Sequence, residues 1–495
     1  MTSIENSKDT EKEEQFSIIG FLNEEKKPYI YKNKFLEKIN EYFQITERKS
    51  SISTEILSGL INFIVSSYII LLLPSMFESI SSKAWNGIFF GTILNIIVVT
   101  SVQGLVGNIP LIYAPGLGSS SFMLSLINDL EMYEYGQVLI LIFCSGIIFL
   151  LVTLTNIRKK IIDSMPLCIK NSMTIGLGVF LSYLGLTNSY LLRFLLEGPI
   201  SEKNEKLYIN ATITLISLLS IILLENRKIK GGIFIGIIIG SIVSILFQII
   251  IEKKNPLNFK SEKWIPPIKD YYDFCIKNGF IKGFSYFQKD IENNPIQTIT
   301  NGILIIFTFT LIDIFDTVGT IIGISKRANL LKEDGYPNKF NEIMIVDSSA
   351  AIFSSLTGTP TCNAYLESTA GIEIGGKTGL TSIITSFFFF VFFFISPIIK
   401  LIPSDATYAA LVYIGSLMFE NINTLDFHDK DNFISSYFTI FIMPFTKNIS
   451  FGIAFGLLVF ISLKIGKGDF FQVNFFAYVV LGLFLIYFAT QNLFR

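Results

Sequence analysis

The chain has 495 residues, of which 51% are hydrophobic, 14% aromatic and only 16% charged, with a mean hydropathy of +0.55; a soluble protein of this length carries more charge. Thirty-nine basic against forty acidic residues leave a net charge of −1, so no positive field exists to hold nucleic acid, and charge balance is silent about substrate. Four isolated cysteines (Cys144, Cys168, Cys275 and Cys362) without C-x-x-C spacing, and one histidine, His428, beside Asp426 and Asp429 in a polar stretch, argue against disulfides, zinc and histidine-based catalysis.

Residues 1–50 stay polar and carry no cleavable signal, which predicts a cytosolic N-terminal tail. Apolar stretches follow near 56 to 73, 86 to 105, 136 to 155, 163 to 187, 208 to 224, 229 to 251, 298 to 324 and 380 to 403. Each is long enough for roughly 30 Å of hydrocarbon. Further apolar regions lie at 406 to 421, 433 to 464 and 470 to 491, the middle one broken around Pro444 and Asn448 into two elements.

Two shorter stretches, Ala114-Pro-Gly-Leu-Gly-Ser-Ser-Ser121 and Gly358-Thr-Pro-Thr-Cys-Asn-Ala-Tyr-Leu-Glu-Ser368, are apolar but interrupted. Proline removes a donor and glycine weakens a helix, so their backbone groups are tolerable only inside protein or along a wet cavity. Pro115 and Pro360 are separated by nearly the same distance as the starts of the first and seventh clear spans. Broken segments at equivalent places in two halves predict a transporter of inverted repeats with its site where half-helices meet.

Loop charges orient the chain with the tail inside: Arg158, Lys159 and Lys160, then Arg227, Lys228 and Lys230, then Lys326 and Arg327 all fall on the cytosolic side. The stretch 252–297 is then an external loop whose Trp264, Tyr271, Tyr272, Phe280, Phe284 and Phe287 either cap the entrance or float at the interface.

Chemistry concentrates in Leu311-Ile-Asp-Ile-Phe-Asp-Thr-Val-Gly-Thr320, which sets Asp313 and Asp316 at i and i+3 with Thr317 and Thr320 beside them. A carboxylate at mid-membrane costs about 3 kcal/mol even on lenient scales, so these acids face a partner, a cavity or a substrate rather than lipid. Asp313 is also well placed to bond threonines or backbone across the bundle. Glu367 follows the second broken stretch, where unwound backbone adds directed N–H and C=O groups. No run of arginine or lysine opposes these acids. A neutral, planar, hydrogen-bond-rich molecule therefore fits better than an anion, and proton symport follows if Asp316 or Glu367 takes up a proton outside and releases it inside.

At these residues the chain resembles the nucleobase:cation symporter-2 (xanthine/uracil permease) superfamily, in its AzgA-like branch of hypoxanthine, guanine and adenine permeases. The likeness runs from about Thr54 to Ile465. It is carried by Thr54-Glu-Ile-Leu-Ser-Gly-Leu60 leading to Tyr68 and Pro74, by Ala114-Pro-Gly-Leu-Gly118, by Asp313-Ile-Phe-Asp-Thr-Val-Gly-Thr320, and by Tyr365-Leu-Glu-Ser-Thr-Ala-Gly371 with Gly375-Gly-Lys-Thr-Gly-Leu380.

The resemblance implies an all-α membrane protein of fourteen segments in two inverted sevens, segments three and ten broken by short strands. A core domain (51–160 and 298–403) would move against a gate domain (161–251 and 404–495) in elevator fashion. It implies substrate contacts from Asp316 and Glu367, with Gly118, Ser120, Thr361 and Asn363 around them, and proton coupling through Glu367, Asp316 and Asp313. Ser120 stands where the branch usually has asparagine, and Leu73 precedes Pro74 where asparagine is usual; a hydroxyl is shorter and donates one bond, so purine preference is the least secure inheritance. The expected partners are a purine nucleobase, a proton or sodium ion and the lipid of the plasma membrane, with a homodimer left open. No catalysis, cofactor, metal ion or nucleic acid is expected. The rival readings are a same-fold anion transporter or channel, and an intramembrane metal-dependent enzyme using paired acids.

Overall fold

The computed structural model describes residues 34–129, 133–155, 166–189, 191–197, 205–250, 268–332, 336–395, 401–446 and 449–469, with scattered positions between 473 and 485. The first part of the tail, the cluster of Arg158, Lys159 and Lys160, Trp264, the side chains of Lys326 and Arg327, and most of the last apolar stretch lie outside them.

Helix α1 (Lys34–Phe43) precedes α2 (Ile52–Ser66), which starts where the Ser51 hydroxyl accepts the Thr54 N–H. Past Ser67 and Tyr68 the same span continues as α3 (Ile69–Phe77), with Pro74 inside it. α4 (Ala84–Gly107) stops at Asn108 in the left-handed region (φ 48°, ψ 46°), a conformation asparagine tolerates. Strand β1 (Ile112–Pro115) leads straight into the short α5 (Leu117–Leu124). α6 (Tyr135–Leu154) opens on a capping box between Glu134 and Gln137. Then come α7 (Leu167–Asn188), α8 (Leu191–Glu197), α9 (Glu205–Asn226) and α10 (Gly232–Ile250).

The second half holds α11 (Ile268–Tyr271), a π-helical turn (Tyr272–Ile281), α12 (Lys282–Asn293), α13 (Pro295–Arg327), α14 (Phe340–Leu356), β2 (Cys362–Tyr365), α15 (Ser368–Ile374) and α16 (Gly379–Phe392). The chain ends its described part with α17 (Ser404–Phe419), α18 (Lys430–Thr446) and α19 (Ile449–Gly466). Among the described residues, seven helices are long and apolar enough to cross a membrane, or eight if the pair bent by 113° around Gly375 counts as one span. The chain is a multi-pass membrane protein.

Two findings change the sequence reading. α14 is a helix that hydropathy missed, because Glu342, Asp347, Ser348, Ser349, Ser354 and Ser355 dilute its apolar character. The stretch 252–297 is not a loop throughout: 268–293 is helical and packs on α4 and α6. Tyr271 stacks on Phe90 with centroids 4.4 Å apart, Phe274 on Tyr135 at 4.6 Å, and Lys83 pairs with Asp273 at 2.7 Å. Beneath it Gly358, at φ 78°, lies where any Cβ would strike Cys275, and its carbonyl accepts the Tyr135 hydroxyl. Tyr271 and Phe280 are thus helix-packing aromatics, while Tyr272 and Phe284 are about half exposed.

Packing sorts the elements into two groups. α2 to α6 and α13 to α16 contact one another with both strands, and α7, α9, α10, α17, α18 and α19 contact one another. The groups meet chiefly where α17 touches α3, α5 touches α7 and α10 touches α2, and Phe234 of α10 also lies against Phe392 of α16.

Long-range polar bonds tie the first group together. Glu55, fully buried, accepts the Lys377 N–H (3.0 Å), the Thr378 N–H (3.3 Å) and the Thr378 and Thr381 hydroxyls (2.8 and 2.5 Å), so a carboxylate from α2 caps the start of α16. Near the start of α6, Gln137 donates to Asp290 at 2.5 Å. His428 is exposed in the polar stretch before α18, as its sequence context predicts.

Candidate functional site

β1 and β2 pair antiparallel, Ile112 with Tyr365, Tyr113 with Ala364, Ala114 with Asn363 and Pro115 with Cys362. Each strand runs on into a short helix, so α5 and α15 leave the ribbon at opposite ends. The junctions are stitched by Gly116 N–H to the Thr361 carbonyl (2.8 Å), Ile112 N–H to the Ser368 hydroxyl (2.9 Å) and the Tyr365 hydroxyl to the Pro115 carbonyl (2.5 Å). Two proline-containing stretches that cannot form continuous helix thus satisfy one another.

Thr361 and Asn363 share one face of the second stretch because side chains alternate along extended backbone. That face meets the acids of α13. Thr361 donates to Asp313 at 2.7 Å and Asn363 donates to Asp316 at 2.9 Å. The i, i+3 pair on the helix is matched by the i, i+2 pair on the chain opposite. Glu367, in the turn before α15, accepts from the Tyr68 hydroxyl at 2.5 Å, and it lies near enough to Asp316 for the two carboxyls to interact electrostatically. Tyr365 sits within electrostatic reach of both.

The residues singled out from sequence therefore divide. Asp316, Asn363 and Glu367 come together, and Asp316 and Glu367 are only partly buried, whereas Asp313 is 1% exposed and bound to Thr361. Asp313 takes the bonding role that the sequence left open for it, fastening the broken stretch to α13. Ser120 is fully buried and spends its donor on the Gly116 carbonyl at 2.6 Å, so no hydroxyl proton is left for a ligand. Gly118 faces the other group of helices: a Cβ there would stand 2.8 Å from Leu177 Cδ2 on α7.

Sequence reasoning gave no role to Tyr68 beyond its place in a motif, and did not name Asp347, which is 1% exposed in α14 and accepts from Thr317 at 3.1 Å. A signal existed for Asp347, an acid in an otherwise apolar-and-serine stretch. For Tyr68 there was none, since its partner is 299 positions away.

The donors are what define the chemistry. Asn363 takes Oδ2 of Asp316 and Tyr68 takes Oε1 of Glu367, which leaves Asp316 Oδ1 and Glu367 Oε2 without a side-chain donor among the described residues. Two held carboxylates offering one oxygen each suit a ligand that brings two N–H groups. No group of three or more His, Cys, Asp or Glu among the described residues has metal-holding geometry.

The chain is similar to known permeases. A model of the xanthine/uracil permeases, described as a permease family, matches residues 53–455. The guanine/hypoxanthine permease PbuO of Bacillus subtilis is 28% identical over 438 residues, covering 87% of this chain and 96% of that protein. The adenine permease AdeQ of Escherichia coli is 26% identical over 460 residues, 90% and 95% of the respective chains. Among solved structures, the transmembrane domain of the cyanobacterial bicarbonate transporter BicA superposes with a TM-score of 0.57 over 80% of this chain and 96% of that one at 12% identity, a likeness of fold alone.

Proposed function

The chain belongs to the xanthine/uracil permease family, the nucleobase:cation symporter-2 permeases, and on that premise we propose that it imports purine nucleobases by proton symport. It is a permease and not an enzyme. The observation that carries the substrate reading is the pair Asp316 and Glu367, whose Oδ2 and Oε1 are taken by Asn363 and Tyr68 while Oδ1 and Oε2 have no side-chain donor among the described residues. Hypoxanthine, guanine and adenine are flat and each carry at least two N–H groups in the ring plane, and such groups bound to carboxylates in a dry site make strong charge-assisted bonds. An anion would meet two carboxylates there, which disfavours the transporter reading that the bicarbonate fold invites.

Alternating access in this reading is motion of a core (51–160 and 298–403) against a gate (161–251 and 404–495), the tail lying in the cytosol. The two packing groups and the few contacts between them support that division. Inverted repetition is supported by two like units, β1 running into α5 and β2 into α15, which pair antiparallel. Asp316, Glu367 and Asp313 are the groups proposed to carry the coupling proton, Gly118 and Ser120 completing the wall through backbone rather than side chain.

The test is uptake of labelled hypoxanthine, guanine and adenine in a host lacking purine transport, with and without a protonophore, for the parent and for Asp316→Asn and Glu367→Gln. The reading requires protonophore-sensitive uptake by the parent and a strongly raised KM with reduced uptake in both variants at normal membrane levels. A parent that moves none of the three purines ends it.

A further inference from the structure

We infer that Tyr68 is a positioning residue of the substrate site, fixing which oxygen of Glu367 a purine meets; this rests on the permease reading above. Tyr68 is fully buried at the joint between α2 and α3, a place where the first span loses regular helical bonding. From there its hydroxyl reaches across to Glu367 Oε1 at 2.5 Å. A glutamate has three rotatable side-chain bonds, and Glu367 sits in the turn between β2 and α15, where the helix does not yet confine it. The phenol supplies the confinement. It is rigid, anchored by burial, and offers one donor and no competing amide.

The consequence concerns specificity as much as affinity. With Oε1 occupied, a ligand N–H is directed to Oε2, while Asn363 directs a second N–H to Oδ1 of Asp316. One register of donors is then favoured over its alternatives, and a site built to pair specific N–H groups discriminates strongly against ligands that misplace them. Without the phenol hydroxyl, Glu367 is free to turn and accept in more than one register. Tyr68 also stands at the start of α3, which touches α17 across the seam between the two packing groups, so the span that holds the carboxylate is one that meets the opposite group of helices.

The experiment measures KM for hypoxanthine, guanine and adenine in transport-deficient cells for the parent, Tyr68→Phe, Glu367→Gln and the double variant, with membrane levels and melting temperature followed alongside. Tyr68→Phe should raise KM about tenfold or more, the usual weight of a bond to a charged group, and should flatten the ratios between the three purines. In the Glu367→Gln background the same change should add little, because its partner's charge is already gone. Equal KM values and ratios for Tyr68→Phe and parent overturn the assignment, as does a full multiplicative effect in the Glu367→Gln background. If Tyr68→Phe does not reach the membrane, a trifluorotyrosine placed at 68 keeps the shape and makes the hydroxyl more acidic. A shift in the pH profile of uptake then supports the positioning role, and an unchanged profile overturns it. A parent that transports no purine overturns the permease reading itself, whereas a transporting parent with a silent Tyr68→Phe overturns only the role of Tyr68.

Discussion

Gly118→Ala tests whether the seam between the two groups of helices has to move. The ideal Cβ at Gly118 stands 2.8 Å from Leu177 Cδ2 and 3.3 Å from its Cδ1, with Ile312 Cγ2 a comfortable 3.7 Å away. Carbon atoms in contact prefer about 3.5 to 4.0 Å, so the added methyl overlaps only Leu177. Overpacking of this kind costs about 1 to 3 kcal/mol. The lower half of that range applies because the overlap falls on the free end of a leucine that can turn. A penalty of about 1 to 2 kcal/mol on this arrangement of α5 against α7 moves a conformational balance roughly five- to thirty-fold. Initial rates and KM of labelled hypoxanthine uptake, at matched membrane levels, should therefore change by that order in Gly118→Ala. Leu177→Ala removes the two atoms concerned, so Gly118→Ala/Leu177→Ala should return to within about twofold of Leu177→Ala alone. Uptake by Gly118→Ala equal to the parent, or a defect that Leu177→Ala leaves untouched, refutes the reasoning.

Three further outcomes follow from bonds already described. Glu55→Ala strands the Lys377 and Thr378 N–H groups in a buried setting, at about 1 to 3 kcal/mol each, and should lower the melting temperature of the solubilised protein by several degrees; an unchanged melt would show that the cap contributes nothing. Asn363→Ala removes the donor 2.9 Å from Asp316, and purine KM should rise about ten- to a hundredfold, a prediction lost if uptake kinetics match the parent. The bond between Lys83 and Asp273 holds the Asp273 carboxyl below its usual range and the Lys83 ammonium above its own. The Asp273 contribution is therefore present above the usual carboxylate value and lost as pH falls through the lowered one, and the Lys83 contribution is lost only as pH rises through the raised value. Melting temperatures of parent and Asp273→Asn should differ at neutral pH and converge on acidification; a constant gap counts against the pair.

What the amino-acid order determined alone was local. Runs of apolar residues long enough to span, prolines and glycines that forbid continuous helix at 114–121 and 358–368, and acids too costly to face lipid at Asp313 and Asp316 are all legible because hydrocarbon and backbone sterics act on each segment by itself. Tertiary structure decided the partners. It paired β1 with β2, gave Asp313 to Thr361 and Asp316 to Asn363, and turned Ser120 inward to its own backbone. It also made a helix of Phe340–Leu356, whose acids and serines read as too polar to span, by surrounding them with α4, α6 and β2. Tyr68 and Glu367, 299 positions apart, are joined by a hydrogen bond only because the chain folds α2 against α15. Composition sets what a segment must avoid, while the choice among many polar partners that could satisfy it is made by packing.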